Sequence, residues 1–150
     1  MGVLFFESKI GFIKITEDDG FITEIKLVND VGKSIEVNEN LIQAQNEIEE
    51  YLKKERKVFD LPIKLKGTDF QKKVWNELLK IPYGETDSYF DIAKNINKEK
   101  ALRAVGTAIG KNPLLIVVPC HRVINKNGNL GGFACGLEVK KKLLKTENII

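Results

Sequence analysis

The feature that most limits what this chain can become is the apolar run over residues 114–118 together with the string it leads into, Pro119-Cys120-His121-Arg122-Val123. A turn-forming Asn125-Lys126-Asn127-Gly128-Asn129 follows directly. His121 is the only histidine in the chain, and it adjoins one of only two cysteines. A thiol and an imidazole at the end of an apolar run, beside a fixed cation, are the ingredients of an activated thiolate. An isolated Cys-His pair is more often a buried structural cysteine next to an incidental histidine. What flanks the string decides between the two.

Composition excludes several classes. With 43% apolar and 30% charged residues in 150, the chain is a soluble globular protein large enough to bury a core in one or two units. No apolar run approaches the ~20 residues of a membrane span, and no basic-then-apolar leader opens the chain, so a cytoplasmic protein with no membrane partner is expected. Two cysteines make no disulfide framework, and one His with two Cys cannot assemble a zinc cluster from soft ligands. No metal and no cofactor are expected. The net charge of +3 is unevenly spread: residues 1–66 hold ten Lys/Arg against 13 Asp/Glu, and residues 67–150 hold 14 against eight. The basic second half suits a polyanion, although a solvated basic face has the same composition.

In chain order, residues 3–6, 10–15 and 21–28 are rich in Val, Leu, Phe and Ile and predict three short antiparallel strands. Residues 40–55 space Leu41, Ile42, Ala44, Ile48, Tyr51 and Leu52 as a helix with a charged opposite face. This α+β unit, residues 1–66 with an extended connector, has no constellation that suggests chemistry. Thr68 and Gln71 form a capping box, and the helix it opens carries Phe70, Val74, Trp75, Leu78 and Leu79 on one side. Ile81-Pro82-Tyr83-Gly84 stops it. A second helix starts near residues 86–88 with Tyr89, Ile92 and Ala93. A third spans 98–109 with Ala101, Leu102, Val105 and Ala108. Two short helices about a tight turn fit a helix-turn-helix or an ordinary helix pair. Val123, Ile124 and Leu130 flank the Asn-Gly turn as a hairpin or wing. Residues 137–147 predict a last helix with Leu137, Leu143 and Leu144 inward and its lysines outward.

From residue 68 to 147 the chain resembles the O6-alkylguanine-DNA alkyltransferases. The likeness is carried by Phe70-Gln71-Lys72-Lys73-Val74-Trp75, Ile81-Pro82-Tyr83-Gly84-Glu85-Thr86, Ser88-Tyr89, Arg103-Ala104-Val105-Gly106, Asn112-Pro113, the Cys120 string and Gly136-Leu137 through Leu143-Leu144, in the family's order and spacing. The first 66 residues match only in outline. The fold implied is α+β: a small N-terminal sheet with a helix, then a helical domain with a winged helix-turn-helix over 67–150. The function implied is single-use transfer of an alkyl group from guanine O6 in double-stranded DNA to Cys120. By resemblance, His121 is the base, acting through a water, Glu147 orients it, and Asn112 ties the turn to the active segment. Without the likeness, Glu147 reads as a solvated residue near the C-terminus.

The resemblance also assigns Tyr89, Val123, Phe133 and Ala134 to the alkylated base. It gives Tyr89, Phe90, Lys98, Ala101, Arg103, Gly106 and Lys126 to DNA, with Arg103 filling the stack that a flipped nucleotide leaves. The small residues Ala101, Ala104 and Gly106 let the recognition helix come close in the minor groove. The partner implied is double-stranded DNA containing O6-alkylguanine, bound by a monomer. Phe133 and Ala134 stand where many members have Tyr and Ser, and Cys135 stands where Gly is usual. Two rival readings are a lesion-binding relative without transfer activity, a group that lacks the acceptor cysteine, and a plain winged-helix regulator.

Overall fold

The computed structural model describes all 150 residues, which divide into two compact units: residues 1–66 with 113–115, and residues 67–112 with 116–150. In the first unit, β1 (Gly2–Ser8), β2 (Gly11–Asp18) and β3 (Phe21–Val28) form an antiparallel sheet in the order β1-β2-β3. The strands place Leu4, Phe6, Ile13, Ile15, Ile22 and Ile25 in the core. The three strands expected from sequence are present; the third has the expected bounds, and the first two are longer than their apolar runs because polar residues complete the ladder. Residues 113–115 add to the edge at β3: Ile25 N–H donates to Pro113 O at 2.8 Å and Leu115 N–H to Ile25 O at 3.0 Å.

Helix α1 (Glu39–Leu52) covers the sheet with Leu41, Ala44, Ile48, Tyr51 and Leu52. It is shorter than the 40–55 expected, since Lys54 takes a left-handed backbone with φ 66°. Asn38 caps it, its side-chain oxygen accepting from Leu41 N–H at 3.1 Å. Ile42, expected on the apolar face, is exposed, because it follows Leu41 round the helix by a full residue.

In the second unit, α2 (Asp69–Leu78) opens with both halves of the Thr68/Gln71 capping box in place. Val74, Trp75 and Leu78 are buried, while Leu79 is exposed at the helix end. The Trp75 indole donates to Ala108 O at 2.8 Å, which fixes α2 against the helix that carries Ala108. Gly67 is required by this packing: a Cβ there would lie 2.6 Å from the Trp75 ring. Helix α3 (Tyr89–Asn95) is capped by Ser88 and ends before Asn97, whose φ is 58°. The third helix does not run straight from 98. A 3₁₀ turn, Glu99–Ala101, precedes α4 (Leu102–Gly110), and no side chain caps either start. Without a cap the first turn tightens. It leaves Leu102 exposed, while Val105, Ala108 and Ile109 form the buried face.

The expected hairpin at the Asn-Gly turn takes another form. β5 (Val123–Ile124) pairs in parallel with β4 (Asp87–Ser88), and Leu130 is in no strand. The wing is instead a closed loop, with Asn125 N–H on Asn129 O at 2.8 Å and Gly128 N–H on Asn125 O at 2.9 Å. Helix α5 (Leu137–Thr146) buries Leu143 and Leu144. Leu137, at its exposed first position, does not turn inward.

Candidate active site

The chain reaches Cys120 through a strained approach. Ile116, fully buried, has φ 73°, a conformation that costs a β-branched residue about 1–3 kcal/mol and persists only where surrounding contacts impose it. Cys120–Arg122 then form a 3₁₀ turn, with the Cys120 N–H on Val118 O at 2.8 Å. The turn carries three consecutive buried side chains.

Asn112, two residues beyond the end of α4, uses one amide nitrogen twice. It donates to Val118 O at 2.7 Å and to Cys120 Sγ at 3.2 Å. The amide therefore holds both the backbone before the cysteine and the sulfur. His121 is fully buried, and its Nε2 faces Glu147 Oε2 at 2.6 Å. Glu147, at the C-terminal end of α5, also accepts from Gly84 N–H at 2.9 Å and from Arg122 through Nε at 2.8 Å and Nη2 at 3.1 Å. Arg122 Nη1 reaches Ile81 O at 2.7 Å, and the Tyr83 hydroxyl donates to Thr146 O at 3.1 Å. The Ile81–Gly84 turn, read from sequence as a helix stop, thus also seats the carboxylate.

The charge states follow from these contacts. Burial pushes the Glu147 carboxyl up, but the hydrogen bonds from His121, Arg122 and the Gly84 amide outweigh it and hold the group at about 2. Glu147 is an anion, so the His121 Nε2 carries the proton between them. Burial lowers the His121 pKa more than Glu147 raises it, which leaves the ring neutral near pH 7. Burial drives the Cys120 thiol up to about 11 against the Asn112 hydrogen bond and the Lys140 charge, which both favour the thiolate. The resting site is a protonated thiol beside a neutral imidazole backed by a carboxylate. Such a site can make a thiolate only if a base takes the thiol proton, and the imidazole is a group able to do so.

Two basic residues depart from the sequence reading. Arg122, expected as the cation beside the thiol, turns its guanidinium onto Glu147 and Ile81 instead. Lys140, expected to face solvent, is fully buried, with Nζ on the carbonyls of Val123 at 2.7 Å, Gly132 at 3.2 Å and Leu130. A signal for this was present: Lys140 lies three and four residues before Leu143 and Leu144, on the same helix face.

The other expected site residues fall into two groups. Around Lys140 are the carbonyl of Val123, the Phe133 ring at 5.9 Å and the Tyr89 ring at 5.8 Å; the Tyr89 hydroxyl donates to Gly132 O at 3.3 Å. Lys126 stands over the Phe90 ring at 4.3 Å. Lys98, Arg103 and Ala134 are exposed, Ala101 is half-buried, and no atom lies within 4 Å of where a Gly106 Cβ would be. None of these hydrogen-bonds to Cys120, Asn112, His121 or Glu147. No set of three or more His, Cys, Asp and Glu side chains is placed to hold a metal ion, and no helix is long and apolar enough to cross a membrane.

A helix-turn-helix unit that hydrogen-bonds a buried cysteine to an Asn, and pairs the histidine next to it with a Glu, defines a class: winged-helix proteins with a buried thiol built into the fold. Residues 69–149 match the 6-O-methylguanine DNA methyltransferase DNA binding domain, and residues 3–65 match the ribonuclease-like domain of the same methyltransferase. The chain belongs to the 6-O-methylguanine DNA methyltransferase family. It is 46% identical over 149 residues to a methylated-DNA–protein-cysteine methyltransferase of Methanosarcina acetivorans, covering 95% of each chain. It is 44% identical over 153 residues to the constitutive enzyme of that name from Bacillus subtilis, covering 95% of this chain and 93% of the relative. The crystal structure of Mycobacterium tuberculosis OGT in complex with DNA superposes with a TM-score of 0.85 at 37% identity, over 95% of this chain and 90% of that one.

Proposed function

We infer that this chain performs direct-reversal DNA repair, taking the alkyl group from O6 of guanine in double-stranded DNA onto Cys120. The observation that carries the reading is the buried relay: Asn112 on the Cys120 sulfur, and His121 on Glu147. Because Nε2 is engaged with Glu147, the thiol proton passes to Nδ1 through a bridging water, and the carboxylate stabilises the imidazolium. The sulfur then attacks the alkyl carbon. The S–C bond forms as the C–O6 bond breaks, and the released guanine takes up a proton. The thioether offers water no good leaving group, so each molecule acts once and needs no cofactor.

The exposed basic unit supports the DNA side of the reading. An alkyl group on O6 lies inside the duplex, so the nucleotide must turn out to meet a buried thiol. Arg103, exposed on α4, occupies the vacated stack. Ala101 and Gly106 allow a close groove approach, and Lys98, Lys126 and the backbone at Phe90 meet phosphates. Tyr89, Val123, Phe133 and Ala134 surround the extruded base. Residues 1–66 act as support. The protein works as a cytoplasmic monomer. The presence of Cys120 in a hydrogen-bonded relay argues against a lesion binder without transfer activity.

The test is intact-mass measurement after incubation with an O6-methylguanine duplex. One methyl per chain should appear on Cys120 and plateau at one equivalent. Cys120→Ser should take up none while still binding DNA. A label on Cys135, or sustained turnover, would overturn the reading.

A further inference from the structure

Lys140 is the only fully buried lysine, and its burial serves no ion pair. Its three N–H donors meet three backbone carbonyls, those of Val123, Leu130 and Gly132. Val123 opens β5, whereas Leu130 and Gly132 belong to a stretch with no regular structure. There Gly131 and Gly136 take left-handed φ of 73° and 98°. Such a loop has little in its own backbone to fix it. A leucine at position 140 would extend the apolar face of α5 at no cost in desolvation, so the ammonium stabilises the loop and not the helix. The loop is also close to the chemistry. The Tyr89 hydroxyl shares the Gly132 carbonyl, a Cβ at Gly131 would stand 3.1 Å from the Tyr89 ring, and Cys120 couples electrostatically to both Cys135 and Lys140.

We propose that Lys140 is a positioning residue for alkyl transfer: its ammonium pins the Leu130 and Gly132 carbonyls to Val123 and so holds the 130–136 loop as the wall of the base pocket beside Cys120. The proposal rests on Cys120 being the alkyl acceptor. It separates two roles at one carbonyl. Tyr89 makes a single, long hydrogen bond to Gly132, which an incoming nucleotide displaces. Lys140 makes three contacts that persist and keep the wall in register.

The clamp holds only while Lys140 carries its proton. Burial lowers its pKa to about 8, against the opposing pull of Cys120. The other titratable groups facing it are Cys120 and His121 from the 3₁₀ turn and Tyr89 from α3, and Cys135 of the loop lies near Cys120. Tyr89, Cys120 and Cys135 are all raised and keep their protons at pH 8, and His121 is already neutral there. Loosening of the loop near that pH therefore reports Lys140.

The experiment has two arms on the full chain. In the first, hydrogen exchange of peptides covering 129–136 is followed in the wild type across pH 8. Exchange should accelerate beyond that of an unstructured peptide of the same sequence, while α4 and α5 peptides should not. In the second, Lys140→Met should speed exchange of that segment at neutral pH and slow reaction with free O6-benzylguanine by about tenfold or more, as loss of charged hydrogen bonds implies. Its reaction with iodoacetamide, which needs no pocket, should fall by clearly less, since it loses only the help that the Lys140 charge gives the thiolate. Lys140→Arg, which retains a cation, should recover part of the loss. Unaltered exchange, unaltered benzylguanine reactivity, or an equal fall with both reagents would each overturn the proposal. If Lys140→Met does not fold, the wild-type pH arm decides it. A loop that responds as described in a wild type whose Cys120 takes no alkyl group from DNA would overturn the alkyl-transfer reading and leave the clamp.

Discussion

Burial keeps the Cys120 thiol protonated because a thiolate among apolar side chains lacks the solvation it has in water. Asn112 and Lys140 partly offset this, and neither is recognisable as a thiol partner from its own sequence neighbourhood. Asn112 sits in a plain Asn-Pro turn, and Lys140 sits in a run of three lysines. Arg103 is the opposite case, an exposed side chain outside the relay, so its contribution should appear only on duplex DNA. Extruding a base costs a few kcal/mol, and a guanidinium in the gap offsets part of that. Arg103→Ala should slow repair of duplex DNA and leave reaction with free O6-benzylguanine nearly intact. The ratio of second-order rate constants on the two substrates, wild type against variant, is the measurement. An equal fall in both rates would place Arg103 in the pocket and not in flipping.

At the level of elements, α2 and α5 differ in how their ends are satisfied. The start of α2 is closed locally by Thr68 and Gln71, so it was legible from four residues of sequence. Thr68→Ala should lower stability by about 1 kcal/mol, read as a shift in denaturant midpoint, with the rate of methyl transfer by folded protein unchanged. The end of α5 is closed by distant groups. A carboxylate at a helix C-terminus is disfavoured by the helix dipole, yet Glu147 sits there as an anion. It is stabilised by Arg122 and the Gly84 amide, which arrive from other parts of the chain. Nothing near Glu147 in sequence announces this.

Across the whole molecule, the relay ties stability to pH. Glu147 is held at about 2 in the fold against 4.5 for an ordinary glutamate, and His121 is held below 6.5. In both cases the unfolded chain binds protons more readily, so the stabilisation is complete above the unfolded values and is lost as pH falls. The loss begins below 6.5 through His121 and deepens from 4.5 towards 2 through Glu147. On the alkaline side the raised groups Cys120, Cys135 and Tyr89 oppose Lys140. Cys120 destabilises the fold as pH rises from 9 to 11, and Lys140 relieves its own burial cost between 8 and 10.5. Denaturant midpoints should therefore drop steeply in acid; an acid limb no steeper than that of Glu147→Gln would refute the assignment. The uneven charge gives a second prediction. If the basic second half meets phosphates, log affinity for duplex DNA should fall linearly with log salt by about 0.9 per phosphate neutralised. A salt-independent affinity would make that half a solvated face.

The sequence alone determined whatever rests on near neighbours. The three strands, the capped start of α2, the break at Asn97 and the Cys120 string are set by side-chain alternation, by capping within four residues, or by adjacency. The family resemblance carried Asn112, His121 and Glu147 into one reading without geometry. Tertiary structure alone decided which way the charged side chains turn. Arg122 could have faced the thiol and Lys140 the solvent, as their local context suggests. Buried polar groups go where unsatisfied partners are, and those partners are carbonyls and a carboxylate as much as 41 residues away in sequence. The same reason explains the missing hairpin. Val123 and Ile124 had a turn to pair across, and instead pair with Asp87 and Ser88, because the neighbouring strand was supplied by the fold.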